Sequence, residues 1–320
     1  MKDVADFGQF SELFRRHPRN PILTASDWPY PANAVFNPGA VHHEGATLLL
    51  VRVEDMRGFS HLTVARSADG VSNWQIDPQP TFAPDPAHHP EELWGVEDPR
   101  IVWLEELERY AITYTAFSER GPLVSLAMTR DFRSFERRGP IMPPEDKDSS
   151  LFPRRFKGRW VLIHRPMPVT PGAGAHIWVS YSPDLTHWGD HTILLEARQG
   201  GWWDARKIGL NTPPIETAEG WLIIYHGVRT TAAGAIYRLG LALLDLDEPT
   251  RVIARSDTWV FGPRELYERV GDVADVVFPC GAILDPSTRE LRLYYGAADT
   301  TVALASAKLD DLLAHLKGKK

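Results

Sequence analysis

Five short proline-containing segments recur along this chain at nearly even intervals, and nothing else in the sequence limits its fold as much. They are Asn-Pro-Gly-Ala at 37–40, Glu-Asp-Pro-Arg at 97–100, Leu-Phe-Pro-Arg at 151–154, Thr-Pro-Pro-Ile at 212–215 and Phe-Pro-Cys-Gly at 278–281, with starts 60, 54, 61 and 66 residues apart. After each comes a run rich in β-branched or aromatic residues: 47–53 (TLLLVRV), 110–115 (YAITYT), 160–164 (WVLIH), 221–225 (WLIIY) and 291–295 (LRLYY). Runs of this kind, bounded by Gly, Asp, Glu or Arg, read as strands. Behind three of them lies a second repeat: a strand, a turn around Asp69, Asp131 or Asp184, and an aromatic residue, Trp74, Phe135 or Trp188. About four strands in each repeat is how a propeller blade is built. The spacing therefore predicts an all-β chain folded as a five-bladed β-propeller, and the 26 scattered prolines agree with short strands joined by structured loops.

Helix signals are confined to the end and one loop. Leu309, Leu312, Leu313 and Leu316 recur at helical spacing and predict a C-terminal helix over about 303–317, and Pro263 suits the start of a short helix between the fourth and fifth repeats. Residues up to about 30 read as an N-terminal extension, and no linker composition divides 1–320 into more than one domain. A formal charge of −7 argues against a nucleic-acid partner. The N-terminus lacks a signal-peptide core, and no apolar run is long enough to span a membrane, so the expected location is cytoplasmic. Cys280, the single cysteine, excludes an internal disulfide. No cysteine cluster suits zinc, and the pairs His42–His43 and His88–His89 have no carboxylate at ligand spacing, so no metal is expected. The eleven tryptophans fit either a β core or stacking platforms for sugars.

In a propeller, equivalent repeat positions converge on the axis. The repeat starts bring Asn37, Asp98 and the segment around Lys147 and Asp148 there. The exits of the following strands bring Arg52 or Arg57, Arg165, His226 and Asp299, with Lys207 just before the fourth start. Taken singly, each has a plainer reading: Asp-Pro is a common turn pair, and an arginine near a strand end usually pairs with a carboxylate. Their recurrence at one repeat position is what separates them. Several cations beside a carboxylic acid read as an anion site next to a proton donor.

The motifs resemble glycoside hydrolase family 130, the β-mannoside phosphorylases and related β-mannosidases. The resemblance is carried in order by NPGA (37–40), RVED…RG…SHLTVARS…DG (52–70), GVEDPRI (95–101), KDSSLFP (147–153), HRP (164–166), WWD…KIG (202–209), GWLIIYHGV (220–228), YRLGLALLD (237–245), VVFPCG (276–281) and YYGAADT (294–300). It implies a five-bladed propeller and inverting phosphorolysis of a β-mannoside to α-mannose 1-phosphate, with inorganic phosphate as co-substrate and no other cofactor. It further implies Asp98 as general acid, its proton reaching the glycosidic oxygen through the mannose 3-hydroxyl. Arg165, Lys207, His226 and Tyr237 would hold phosphate, with Lys147 where some members carry arginine. Asn37, Arg57 and Asp299 would hold mannose. Leu210, Asn211 and Thr212 depart from the small residues often seen in that loop. A phosphate-independent β-mannosidase and a non-catalytic sugar-binding propeller are the alternatives. Subunit number stays open, a homo-oligomer included.

Overall fold

The computed structural model describes residues 12–168, 173–232 and 234–318. Its strands pair antiparallel as meanders that follow one another along the chain. The first runs through Ala34–His43, Ala46–Glu54 and Ser60–Ser67 to Gln75–Ile76, and the second through Gly95–Leu104, Arg109–Ser118 and Gly121–Thr129 to Glu136–Pro140. A single parallel bridge, Ser60 to Gly95, joins these two into one sheet. The third meander comprises Asp146–Leu151, Trp160–Pro166, Ile177–Ser182 and Gly189–Leu195. The fourth has Lys207–Leu210 and Ile215–Thr217 beside Gly220–Thr231, then Gly234–Leu244 and Val252–Arg255. The fifth orders Val277–Leu284, Glu290–Ala297 and Thr301–Lys308, and its outer strand is the N-terminal Arg15–Arg16.

The strand Gly220–Thr231 shows why the apolar runs look continuous. Trp221, Ile223 and Tyr225 pack into the core shared with the third meander, while Leu222 and Ile224 pack into the core shared with the fifth. A strand sandwiched between two sheets must be apolar on both faces, so the alternation vanishes from the sequence. Similar cores lie between the first and second meanders and between the second and third. Another joins the fifth to the first, where Val35, Leu49 and Val51 meet Tyr294, Val302 and Leu304. Sheets stacked face to face in succession make the fold propeller-type.

The repeated aspartate turn is local chemistry. Asp69 Oδ1 accepts the backbone N–H of Val71 and Ser72, Asp131 Oδ1 those of Arg133 and Ser134, and Asp184 Oδ1 those of Thr186 and His187. Trp160 and Trp221 are fully buried core residues, whereas Trp94, Trp103 and Trp202 are about two-fifths exposed.

Two boundaries differ from expectation. The C-terminal helix spans only Leu309–Leu316, because 301–308 are claimed as the third strand of the fifth meander. The described part of the N-terminal extension is no appendage: Arg15 and Arg16 pair with Ser306 and Ala305, and Leu23 bridges Val302. The loop helix after Pro263 is the single turn Leu266–Arg269.

Candidate active site

The first strands of the first three meanders share one irregularity. Their register shifts between Phe36 and Gly39, between Glu97 and Arg100, and between Lys147 and Ser150. At each shift one residue turns left-handed: Asn37 with φ 45°, Asp98 with φ 50° and Asp148 with φ 54°. Asn and Asp adopt this region more readily than other residues bearing a Cβ, and a bulge re-aims a side chain. All three side chains are buried and line one cavity of about 170 Å³. Glycines make room beside them, since a Cβ at Gly209 would overlap the Asp148 carboxylate and one at Gly296 the Asn37 amide.

One half of the cavity is built around Asp98. Its Oδ1 accepts from Asn37 Nδ2 at 2.9 Å and from Arg52 Nη1 at 3.1 Å. Arg52 also donates to Glu97 Oε1 at 3.1 Å and to Ser60 Oγ at 2.9 Å, which fixes its guanidinium. Burial by itself would raise the Asp98 pKa, but the charges of Arg52, Arg100 and Lys147 and the Asn37 bond outweigh it, so the group is lowered. Asp299 behaves oppositely: burial pushes it up to about 6 against the pull of Arg52, and the Asp98 charge adds to the rise.

The other half is cationic. Arg165 donates from Nε to Asp148 Oδ2 at 2.6 Å, and its backbone N–H donates to Asp146 Oδ1 at 3.0 Å. His226 Nε2 lies 3.5 Å from the same Asp148 oxygen. The rings of Phe278 and Tyr237 flank His226, at 4.9 and 5.6 Å between centroids. The Lys207 ammonium stands 5.1 Å from the centre of the Tyr237 ring. Burial, helped by the Arg165 charge, lowers Lys207 to about 8. Burial also lowers His226 to about 3 despite Asp148, so its imidazole is neutral near pH 7. Burial works against ionised Asp148, yet Arg165 first, then His226 and Arg100, hold it far below the usual carboxylate range. Lys147, Arg165 and Lys207 line the cavity together with Asp148.

Arg100, 1% exposed, is buried next to the cavity, 3.7 Å from Asp148 Oδ1. It donates to the carbonyls of Asp98, Leu210 and Asn211 at 2.9, 3.0 and 2.9 Å, and the Asn211 amide donates to Pro279 O at 3.0 Å. This strut ties the second, fourth and fifth meanders together. Asn37 Oδ1 and His226 Nδ1 are buried without a hydrogen-bond partner among the described residues, one in each half.

Of the residues singled out in the sequence, Asn37, Asp98, Lys147, Arg165, Lys207, His226, Tyr237 and Asp299 all line the cavity. Arg57 does not. Its strand ends at Glu54, and the turn through Gly58, at φ 83°, leaves the Arg57 side chain 73% exposed and paired with Asp55 at 2.7 Å. Arg52, the other arginine of that strand exit, occupies the cavity instead. Sequence reasoning missed Arg100, although it stands two residues after Asp98 in the same motif, and left Asp148 without a role. The Asp-Ser at 148–149 echoes the Asn-Pro and Asp-Pro of the earlier bulges, and that was the available signal. His88 and His89 pair with Asp85 and Glu91, and no cluster of three or more potential metal-ligating side chains occurs among the described residues. No helix among them is long and apolar enough to cross a membrane.

A family model described as beta-1,4-mannooligosaccharide phosphorylase matches residues 14–318. The chain is 33% identical over 312 residues to the beta-1,4-mannooligosaccharide phosphorylase of Ruminococcus albus, covering 96% of this chain and 91% of that one. It is 38% identical over 268 residues to the beta-1,2-mannobiose phosphorylase of Listeria innocua, covering 82% and 72%. A solved structure of the Listeria innocua beta-1,2-mannobiose phosphorylase in complex with beta-1,2-mannobiose superposes with a TM-score of 0.86 at 31% identity, over 95% of this chain and 99% of that one.

Proposed function

The chain belongs to glycoside hydrolase family 130, and from that membership we propose that it is a β-mannoside phosphorylase, one catalytic domain that cleaves a terminal β-mannoside by inverting phosphorolysis. The observation that carries this reading is the division of one cavity into a cationic half and a carboxyl half. An inverting hydrolase needs a second carboxylate to activate water. Phosphate is already a nucleophile and needs cations that hold it in line.

In the proposed reaction, Arg165, Lys207 and Lys147 hold phosphate by charge-assisted bonds, and neutral His226 and the Tyr237 hydroxyl complete its shell. A phosphate oxygen attacks C1 of the mannose on the face opposite the leaving oxygen. As the C1–O bond breaks, the leaving oxygen takes the proton of the mannose 3-hydroxyl, and Asp98 replaces that proton. The products are α-mannose 1-phosphate and the shortened acceptor. Asn37, Arg52 and Asp299 face the sugar. Asp98 has to carry a proton for this step, although Arg52, Arg100 and Lys147 lower its pKa. A bound phosphate dianion offsets part of that positive potential and raises Asp98, so co-substrate binding readies the acid.

Incubation with β-1,4- and β-1,2-mannobiose, each with and without phosphate, tests the reading. The expected product is mannose 1-phosphate, formed only when phosphate is present. Release of free mannose at the same rate without phosphate would overturn it. Arg165→Ala is expected to raise the KM for phosphate by about 10–150-fold, the loss of one hydrogen bond to a charged group, with a much smaller change in the KM for disaccharide.

A further inference from the structure

Behind the strand pair that carries His226 and Tyr237 lies a second cleft. Tyr237 faces the catalytic cavity, so its neighbour Arg238, opposite Gly227 in the pair, points to the other side of the sheet. There Arg238 and Arg229 line a cleft of about 500 Å³ together with Trp202 and Trp259, a volume usual for small-molecule sites.

The charges in this cleft do not balance. Arg238 is half-buried, makes no hydrogen bond or ion pair among the described residues, and stacks over Trp259 at 5.0 Å. Burial and the neighbouring Arg229 charge both lower its pKa. Asp275, the carboxylate that acts on it, is held by Arg269 at 3.2 Å. Arg229 is exposed and likewise has no ion pair among the described residues. Asp257 also lines the cleft, but Arg198 binds it at 2.9 Å. The Arg198 guanidinium lies over the Trp202 ring, 4.4 Å from its centre, and Trp202, 44% exposed, lines the cleft. A guanidinium partly withdrawn from water is costly without an acceptor. Two of them side by side form an anion site. The partly exposed indole adds a flat surface suited to the C–H face of a sugar, which a bare anion would not use.

We propose that this cleft is a second binding site, separate from the catalytic cavity, for a phosphorylated hexose: Arg229 and Arg238 take the phosphate and Trp202 takes the ring. The choice of hexose rests on the mannoside reading above, with the reaction product as the nearest source. Calorimetric titration with α-mannose 1-phosphate is expected to show two sites in the unmodified protein and one in the doubly substituted Arg229→Ala/Arg238→Ala protein. In Arg165→Ala, whose catalytic cavity is weakened toward phosphate, the remaining site is expected to lose about 10–150-fold in affinity when Arg238→Ala is added. Inorganic phosphate is expected to bind that site more weakly than mannose 1-phosphate, and only the sugar phosphate is expected to respond to Trp202→Ala. One site in the unmodified protein, or two that survive Arg229→Ala/Arg238→Ala, would overturn the proposal. Equal binding of both ligands with no effect of Trp202→Ala would overturn its sugar half. Binding needs no turnover, so two sites, one of them Arg238-dependent, in a protein that releases free mannose would refute the phosphorylase reading alone. Intact phosphorolysis with a single site would refute this one alone.

Discussion

Lys207 and Asp98 carry the sharpest expectations at the scale of single residues. Lys207 is lowered to about 8, so it is charged below that pH and loses its proton as the pH rises through it. kcat/KM for phosphate reports the free enzyme and is expected to fall above about pH 8, by up to about tenfold per pH unit. Lys207→Arg keeps its charge at higher pH, and the alkaline limb should move upward in that variant; an unmoved limb would assign it to another group. Asp98→Asn retains the shape of the side chain and the neighbourhood of Asn37. It is expected to leave the circular dichroism spectrum unchanged and to reduce kcat by about 10²–10⁴-fold, the usual worth of a positioned acid. Near-normal turnover would shift the acid to Asp299, whose pKa of about 6 already favours the protonated form at mildly acid pH. Residue identity at these points was readable because the strand-start motifs repeat. The choice of Arg52 over Arg57 was not, since both lie near one strand exit and only the direction of the turn at Gly58 separates them.

Among the elements, the loop leading into the strand Lys207–Leu210 decides where Lys207 sits. Trp203 is wedged against Gly227 and Gly240, where a Cβ would meet its ring at 2.5 Å in each case. The fully buried Asp204 beside it accepts from Arg255 at 2.8 Å and from Arg198 and the Tyr225 hydroxyl at 3.1 Å. Asp204→Ala leaves two guanidiniums without their shared acceptor. Removing one partner of a buried ionic group typically costs about 3–5 kcal/mol, which urea denaturation would measure. The same variant is expected to raise the KM for phosphate through displacement of Lys207; unchanged stability would mean that the loop is held by Trp203 alone. Local signals gave the aspartate turns correctly, because Asp69, Asp131 and Asp184 each satisfy backbone donors two and three residues ahead. They misjudged the start of the terminal helix, because 301–308 has a partner strand that helical periodicity cannot register.

For the whole molecule, the N-terminal strand is stitched to the segments around the fifth meander by charge as well as by strand pairing. Arg16 donates from Nε and Nη2 to Glu268 at 2.8 and 2.9 Å, and Glu268 is fully buried and also accepts from the Tyr295 hydroxyl at 2.8 Å. Arg16→Ala strands that carboxylate in the core between the fourth and fifth meanders, at a cost of about 3–5 kcal/mol. The expected result is a lower midpoint of chemical unfolding with little change in kcat, because the substitution is remote from the cavity; a midpoint equal to that of the unmodified protein would deny the stitch a structural role. The sequence by itself determined what depends on neighbours along the chain: β-rich repeats, turn chemistry, and the polar residues that break each repeat at one position. Tertiary structure alone decided which arginine enters the cavity, that Arg100 braces the second meander against the fourth, that Asp148 is the counter-charge of Arg165, and that the N-terminal strand completes the last sheet. The first was set by the direction of the turn at Gly58, and the others by pairing between strands or between meanders and by the direction of a bulge, which residue types within a short window do not encode.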